Sequence, residues 1–304
     1  MKFDRSVYHG YIIKGQLRNA ISYVERFPEE FDLYTHLVAV FENKQYVSYD
    51  ISAELNHILL AYQQYYRDSF YLCQTKDEAE RKLKDRILKA LGIKGGPIEF
   101  CVLEQNILTK TFQDHGYNFL GGKTSGYYGP YVWKTTETVS YDVELPDGTQ
   151  KYSVKLLDGF ISKSWIDYLS FGEIATGGWT DGDGYINCIK AAWDINSESF
   201  RVSLLKHEAQ HVRDLQSNSK LTSELLEYRA KLVELIYSKQ RNLLEEFSNE
   251  ADNSDKNNGH STAAYKIISR FKQEFQIEDL TSLTQEQIMS VAKELFNEST
   301  KKIQ

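Results

Sequence analysis

The chain has 304 residues, 41% of them hydrophobic, and a formal net charge of -7. That length allows two lobes, each with its own core. The acidic balance lacks the basic excess that a nucleic-acid or anionic-membrane partner requires, so neither is expected.

The three cysteines, Cys73, Cys101 and Cys188, are too few and too scattered for a disulfide scaffold or a cysteine-ligated metal site. A reducing, cytoplasmic setting fits them. The opening MKFDRSVYHGYIIKGQL has no continuous apolar stretch and so shows no secretory signal, although a chain trimmed of its signal would look the same. No run reaches the roughly 18 apolar residues of a membrane-spanning helix, and a soluble protein is expected.

From Gln16 to about Leu91 the apolar residues recur at helical spacing. Leu17, Ile21 and Val24 form one stripe, Phe31, Tyr34, Leu37, Val38 and Phe41 a second, with Pro28 between them. Ile51, Leu55, Ile58, Leu59, Tyr62, Tyr66 and Phe70 form a third, and Ala79, Leu83, Ile87 and Leu91 a fourth. No internal period marks a repeat family. LGIKGGP, over 91–97, cannot continue a helix. The expected organisation is therefore a helical N-terminal domain over 1–94 and a second domain over 95–304, strand-rich over 130–195 and helical over 197–304. The N-terminal helices are a candidate surface for a protein partner.

Beyond the boundary, Phe100 to Phe112 predicts a helix and Gly116 to Pro130 a loop crowded with Gly and Tyr. Tyr131 to Leu145 and Tyr152 to Leu157 flank the turn residues Pro146-Asp147-Gly148 and predict a β-hairpin. Phe160 to Phe171 reads as a short helix, Gly172 to Gly184 as a second glycine-rich loop, and Tyr185 to Trp193 as a strand buried on parts of both faces. The two loops are candidate cleft linings. Gly121-Gly122-Lys123-Thr124 imitates a phosphate loop, but Tyr117 stands where the motif needs Gly, and nucleotide binding is rejected. Asp181-Gly182-Asp183-Gly184 lacks the remaining ligands of a calcium loop and reads as a tight turn. Ser197 caps a helix reaching about Gln216. Further helices are expected over Ser223 to Phe247, Ser261 to Phe275 and Thr284 to Phe296, with a polar loop over Asn253 to Gly259.

The most informative stretch is LLKHEAQHVRDL, Leu204 to Leu215. On a helix, His207 and His211 stand four residues apart on one face, so both imidazoles can grip one zinc ion, with Glu208 beside them as a candidate general base. Phe200, Leu204, Val212 and Leu215 mark the inward face, and the two His and Glu208 fall on or next to it. Lys206, Gln210 and Arg213 take the opposite, watery side. Buried imidazoles and a carboxylate need compensation, which a divalent cation supplies; the competing reading is an internal His-Glu hydrogen-bond network. Asp214 is either an acceptor that orients a liganding imidazole or a helix-end charge.

This H-E-x-x-H constellation resembles the zincin metallopeptidases, which have an α+β fold. The resemblance implies that His207 and His211 bind zinc, that Glu208 is the general base of peptide hydrolysis, and that substrate lies along an edge strand beside the helix. Tyr185 to Trp193 holds that strand's place in the chain. Val212 fits the pattern that comes after the second His, and Arg213 departs from it. No H-x-x-G-x-x-H continuation is present, which excludes a metzincin pattern. The gluzincin pattern, in which a Glu on the next helix completes the site, suits SELLEYRA, with Glu227 as first choice and Glu224 as second.

On that helix Leu225, Leu232, Val233, Ile236, Leu243 and Phe247 form the apolar stripe. Glu227 lies nearly opposite, where a solvated charge is the competing reading, and Arg229 falls inside the stripe and must pair with something, a carboxylate near the site being the candidate. His260 is the candidate donor to the oxyanion of the transition state. The function expected is a zinc-dependent metallopeptidase acting on a peptide or protein. The alternatives are a zinc hydrolase of a non-peptide amide or ester, and a non-enzymatic helical interaction protein whose structural metal would have four protein ligands.

Overall fold

The computed structural model describes residues 2–94, 98–180, 184–254 and 258–303. It is a mixed α+β protein with small sheets, divided into two compact units. One comprises Met1–Thr135 with Gly159–Thr176, the other Thr136–Asp158 with Gly177–Gln304. No described helix is long and apolar enough to cross a membrane.

The first unit holds helices α1 (Arg5–Ile13), α2 (Leu17–Val24), α3 (Phe31–Leu37), α4 (Ala53–Tyr66), α5 (Lys76–Ala90), α6 (Phe100–Val102), α7 (Thr109–Asp114) and α8 (Ser164–Leu169). Side chains of Ser52 and Thr75 cap α4 and α5 by accepting from the amides of Leu55 and Glu78. A sheet of β1 (Asn118–Leu120), β4 (Tyr131–Trp133) and β7 (Ser162–Lys163), in the order β1-β4-β7, accompanies a small hairpin of β2 (Lys123–Thr124) and β3 (Tyr127–Tyr128). Lys123 pairs with Glu80 at 2.7 Å and lies over the Tyr128 ring.

The four predicted stripes are helices, and α5 stops at Ala90 just before the predicted breaker, whose residues 95–97 lie outside the described set. The expected boundary at 94/95 is not where the units divide. One apolar core continues from Tyr8, Leu55, Tyr62 and Leu83 into Leu103, Phe112, Val132 and Trp165, so residues 98–135 complete the first unit. Several tyrosines fill that core.

A carboxyl group is buried there. Glu104 is 3% exposed and accepts a 2.6 Å hydrogen bond from the Tyr62 hydroxyl. Burial pushes its pKa up to about 7, against smaller lowering by Tyr62 and the Gly122 amide. A raised carboxyl costs nothing below its unfolded pKa near 4.5, and the cost grows as pH rises to about 7. Glu104→Gln is therefore expected to be neutral near pH 4 and stabilising, on the order of 3 kcal/mol, at pH 8. Urea unfolding of both proteins across that range measures the difference, and a gap independent of pH would refute it.

In the second unit, β5 (Thr135–Leu145), β6 (Gly148–Asp158), β8 (Gly178–Thr180) and β9 (Tyr185–Ile189) form a sheet in the order β5-β6-β9-β8. The predicted turn joins β5 to β6, and Gly148 there has φ +115°, which a side chain would strain. The expected first arm, Tyr131 to Leu145, is two strands, because β4 pairs with β1 and β7 in the other unit. β9 is buried on both faces as expected but is no edge: β6 pairs with it in parallel and β8 antiparallel, which leaves β8 at the edge. β8 lies in the stretch expected as a loop, and the Asp181 to Asp183 turn falls outside the described residues.

The helices of this unit are α9 (His207–Ser217), α10 (Ser223–Tyr237), α11 (Asn242–Glu250), α12 (Gly259–Phe275) and α13 (Gln285–Ile303). Ser197 caps the approach to α9 by accepting from the Phe200 amide, and a π-helical segment, Phe200–Lys206, runs directly into it. The single helix expected over Ser223 to Phe247 is broken. Ser238 is extended, its hydroxyl accepts from the Gln240 amide, and Glu198 takes the Lys239 amide, so backbone donors are satisfied outside a helix. The polar loop before α12 is described except for 255–257.

Candidate metal centre

The histidine helix α9 packs against α10 and the strands β8 and β9, and α10 against α12 and α13. Both α9 and α10 are thus enclosed on most sides, and their polar residues must satisfy one another. His207, His211 and Glu227 are all buried, and one donor atom from each lies within 4.8 Å of the others. No other His, Cys, Asp or Glu joins this group among the described residues. Glu224, the second choice, is instead paired with Lys266.

Distances inside the group are compatible with a shared cation as well as with direct His–carboxylate pairing. His207 Nε2 lies 3.4 Å from Glu227 Oε2, and His211 Nε2 lies 3.4 Å from Glu227 Oε1. Two ligands each about 2.1 Å from a tetrahedral ion stand about 3.4 Å apart. Glu227 Oε2 is buried without a well-formed hydrogen bond, as is His211 Nδ1. Two imidazoles and a carboxylate are the donor set that zinc takes in catalytic sites.

Residue Glu234, which the sequence reading missed, hydrogen-bonds His207 Nδ1 at 2.7 Å, both side chains being buried. Such a carboxylate fixes the imidazole's orientation and turns Nε2 towards Glu227. The available signal was spacing: Glu234 is seven residues, two turns, beyond Glu227 on the same face of α10.

Electrostatics agree with the geometry. Burial alone would strip the proton from His207, but Glu234 and Glu227 outweigh it and push the pKa up to about 10. Burial would likewise raise Glu227, yet contacts with His207, His211 and His260 hold it well below the usual carboxylate range. The two carboxylates demand positive charge between them, which a proton or a divalent cation supplies.

Glu208 is half-buried in the first turn of α9 and makes no hydrogen bond or ion pair among the described residues. His260 is brought to the group: its Nδ1 lies 2.9 Å from Glu227 Oε2, and its ring is nearly parallel to that of His207, with centroids 6.4 Å apart. Gly259 permits this approach, since a Cβ there would sit 2.5 Å from Ser223 Oγ and 3.1 Å from that residue's carbonyl carbon.

Asp214 does not orient an imidazole. It accepts from Arg229 Nε at 2.8 Å and from Gln210 Nε2 at 2.9 Å, which gives Arg229 the partner its place in the stripe required. Gln210, expected on the watery side, is fully buried because α9 is covered there too. Arg213 departs from the zincin pattern with a reason: its guanidinium donates to the carbonyls of Asp147 and Gly148 and pins the β5–β6 turn.

A scan of family models finds no match to this chain, and searches of curated proteins and of solved structures find none either.

Proposed function

We propose that the protein is a zinc-dependent metallopeptidase, with His207, His211 and Glu227 as ligands and Glu208 as general base. The observation that carries the reading is the buried three-donor group, whose 3.4 Å separations suit tetrahedral zinc. A structural zinc would ask for a fourth protein ligand, and a catalytic one for three and an open position.

Zinc bound there supplies a Lewis acid for the scissile carbonyl and acidifies water. Glu208, which makes no hydrogen bond or ion pair among the described residues, takes the proton of the attacking water and passes it to the leaving nitrogen. His260, 58% exposed, turns its remaining ring nitrogen to the developing oxyanion. Glu234 keeps His207 in the orientation the ligand role needs. An extended peptide lies along β8, the edge strand packed beside α9. The free thiols suit a cytoplasmic setting.

Metal analysis tests the reading directly. The purified parent is expected to carry zinc stoichiometric with the chain and His207→Ala to carry none. A parent that binds no zinc when dialysed against it ends the proposal.

A further inference from the structure

We propose that a groove between the β5–β6 turn, the end of α10 and one face of α13 binds a short peptide with free ends and apolar side chains. The inference stands apart from the metal reading, because none of His207, His211, Glu227, Glu208 and His260 lines the groove. Its volume is about 580 Å³, within the range of small-molecule sites.

Helical spacing builds one wall. Met289, Lys293, Phe296 and Asn297 recur at i, i+4, i+7 and i+8, so all four stand on one side of α13. Glu144, Leu145 and Thr149 of the hairpin and Ile236 and Tyr237 at the end of α10 form the rest. Leu145, Ile236 and Phe296 are nearly buried and supply an apolar floor.

Charges of both signs stand over that floor on different walls. Lys293 is exposed, and its ammonium makes no hydrogen bond or ion pair among the described residues. The Asn297 amide follows it one turn later. Glu144 is exposed as well and does not close onto Lys293; Lys206 donates to its carbonyl and lies 3.7 Å over the Tyr237 ring. Burial, then the carboxylates of Glu144 and Asp147, push the pKa of the Tyr237 hydroxyl up, and α10 ends there with the negative pole of its dipole. A peptide that sets its ammonium at Glu144, its carboxylate at Lys293 and its side chains on the floor satisfies both charges and the apolar surface together. An apolar anion would leave Glu144 unmatched, and a cation would meet Lys293.

The chain has two methionines, Met1 and Met289, so the Met289 methyl group is a reporter inside the groove itself. The experiment titrates the full chain, labelled at the methionine methyls, with the tripeptide Leu-Leu-Leu and follows the Met289 resonance, assigned with Met289→Leu. A saturable shift is expected in the parent. Acetylating the peptide amine or amidating its carboxylate should each weaken binding about 10- to 100-fold, the size of one hydrogen bond to a charged group. Glu144→Lys and Lys293→Glu should weaken it at least as much, and both change exposed side chains outside the core. The double variant Glu144→Lys/Lys293→Glu, which exchanges the signs of the two walls, should recover the affinity.

A Met289 signal that does not respond, binding indifferent to blocked ends, or a double variant no better than the single ones would overturn the inference. The readout does not involve zinc, so a failed groove and a failed metal reading give separate results.

Discussion

Replacing Glu208 by Gln is expected to leave bound zinc unchanged and to slow peptide cleavage by about 10²- to 10⁴-fold, the range for loss of a general base. The side chain is suited to that separation of effects. It sits next to His207 in the first turn of α9, half-buried, outside the three-donor group and without a hydrogen bond or ion pair among the described residues. Gln keeps its shape and removes only the basic oxygen, so ligand positions and fold should persist. Turnover of a peptide library, normalised to zinc content, is the measurement. Cleavage at the parent rate by a zinc-loaded Glu208→Gln protein would exclude Glu208 as the base.

The second large effect is expected on stability. Arg229 is 1% exposed and donates through Nε to Asp214, and through Nη1 to Ser299 at 2.7 Å and Thr300 at 2.9 Å, with its guanidinium 4.2 Å from the Phe296 ring centroid. Three helices, α9, α10 and α13, meet in that one side chain. Arg229→Met would strand the Asp214 carboxylate in an apolar interior, which costs about 3–5 kcal/mol. Adding Asp214→Leu removes the stranded charge and should return much of the loss. Urea unfolding of the parent, the two single variants and the double variant tests this. A single Arg229→Met change without measurable destabilisation would show that the buried pair does not hold these helices.

Local pattern expresses only part of this structure. The H-E-x-x-H spacing identifies the histidine face of α9, and the second helix offers Glu227, because both rest on residues within a few turns of each other. Single-face periodicity fails where a helix is enclosed. On α10 the buried residues include Glu227, Arg229, Lys231 and Glu234, so polarity ceases to mark the solvent side, and Glu227 opposite the apolar stripe still points inward. Gln210 on α9 misleads in the same way.

The π-helical segment Phe200–Lys206 adds another cause, since its wider turn shifts the phase of α9 relative to a regular 3.6-residue stripe begun at Phe200. The division of the units was illegible for a different reason. LGIKGGP is a genuine helix breaker, but whether the chain beyond it returns to the same core depends on partners such as Val132 and Trp165, far away in sequence.

The interleaving of the two units bears on how the molecule can be made and cut. Residues 136–158 leave the first unit to build β5 and β6 of the second, and residues 159–176 then return to complete the first. During synthesis the first unit cannot close until the chain has passed Thr176, by which time two strands of the other unit have already emerged and must wait for β9. A fragment beginning at Gly177 lacks β6, the strand on which β9 is aligned, and a continuous fragment that keeps the histidine helix with its sheet must begin near Thr136 and carry Gly159–Thr176 of the other unit with it. His207, His211 and Glu227 therefore belong to a body that no continuous stretch of chain encodes without part of the other unit.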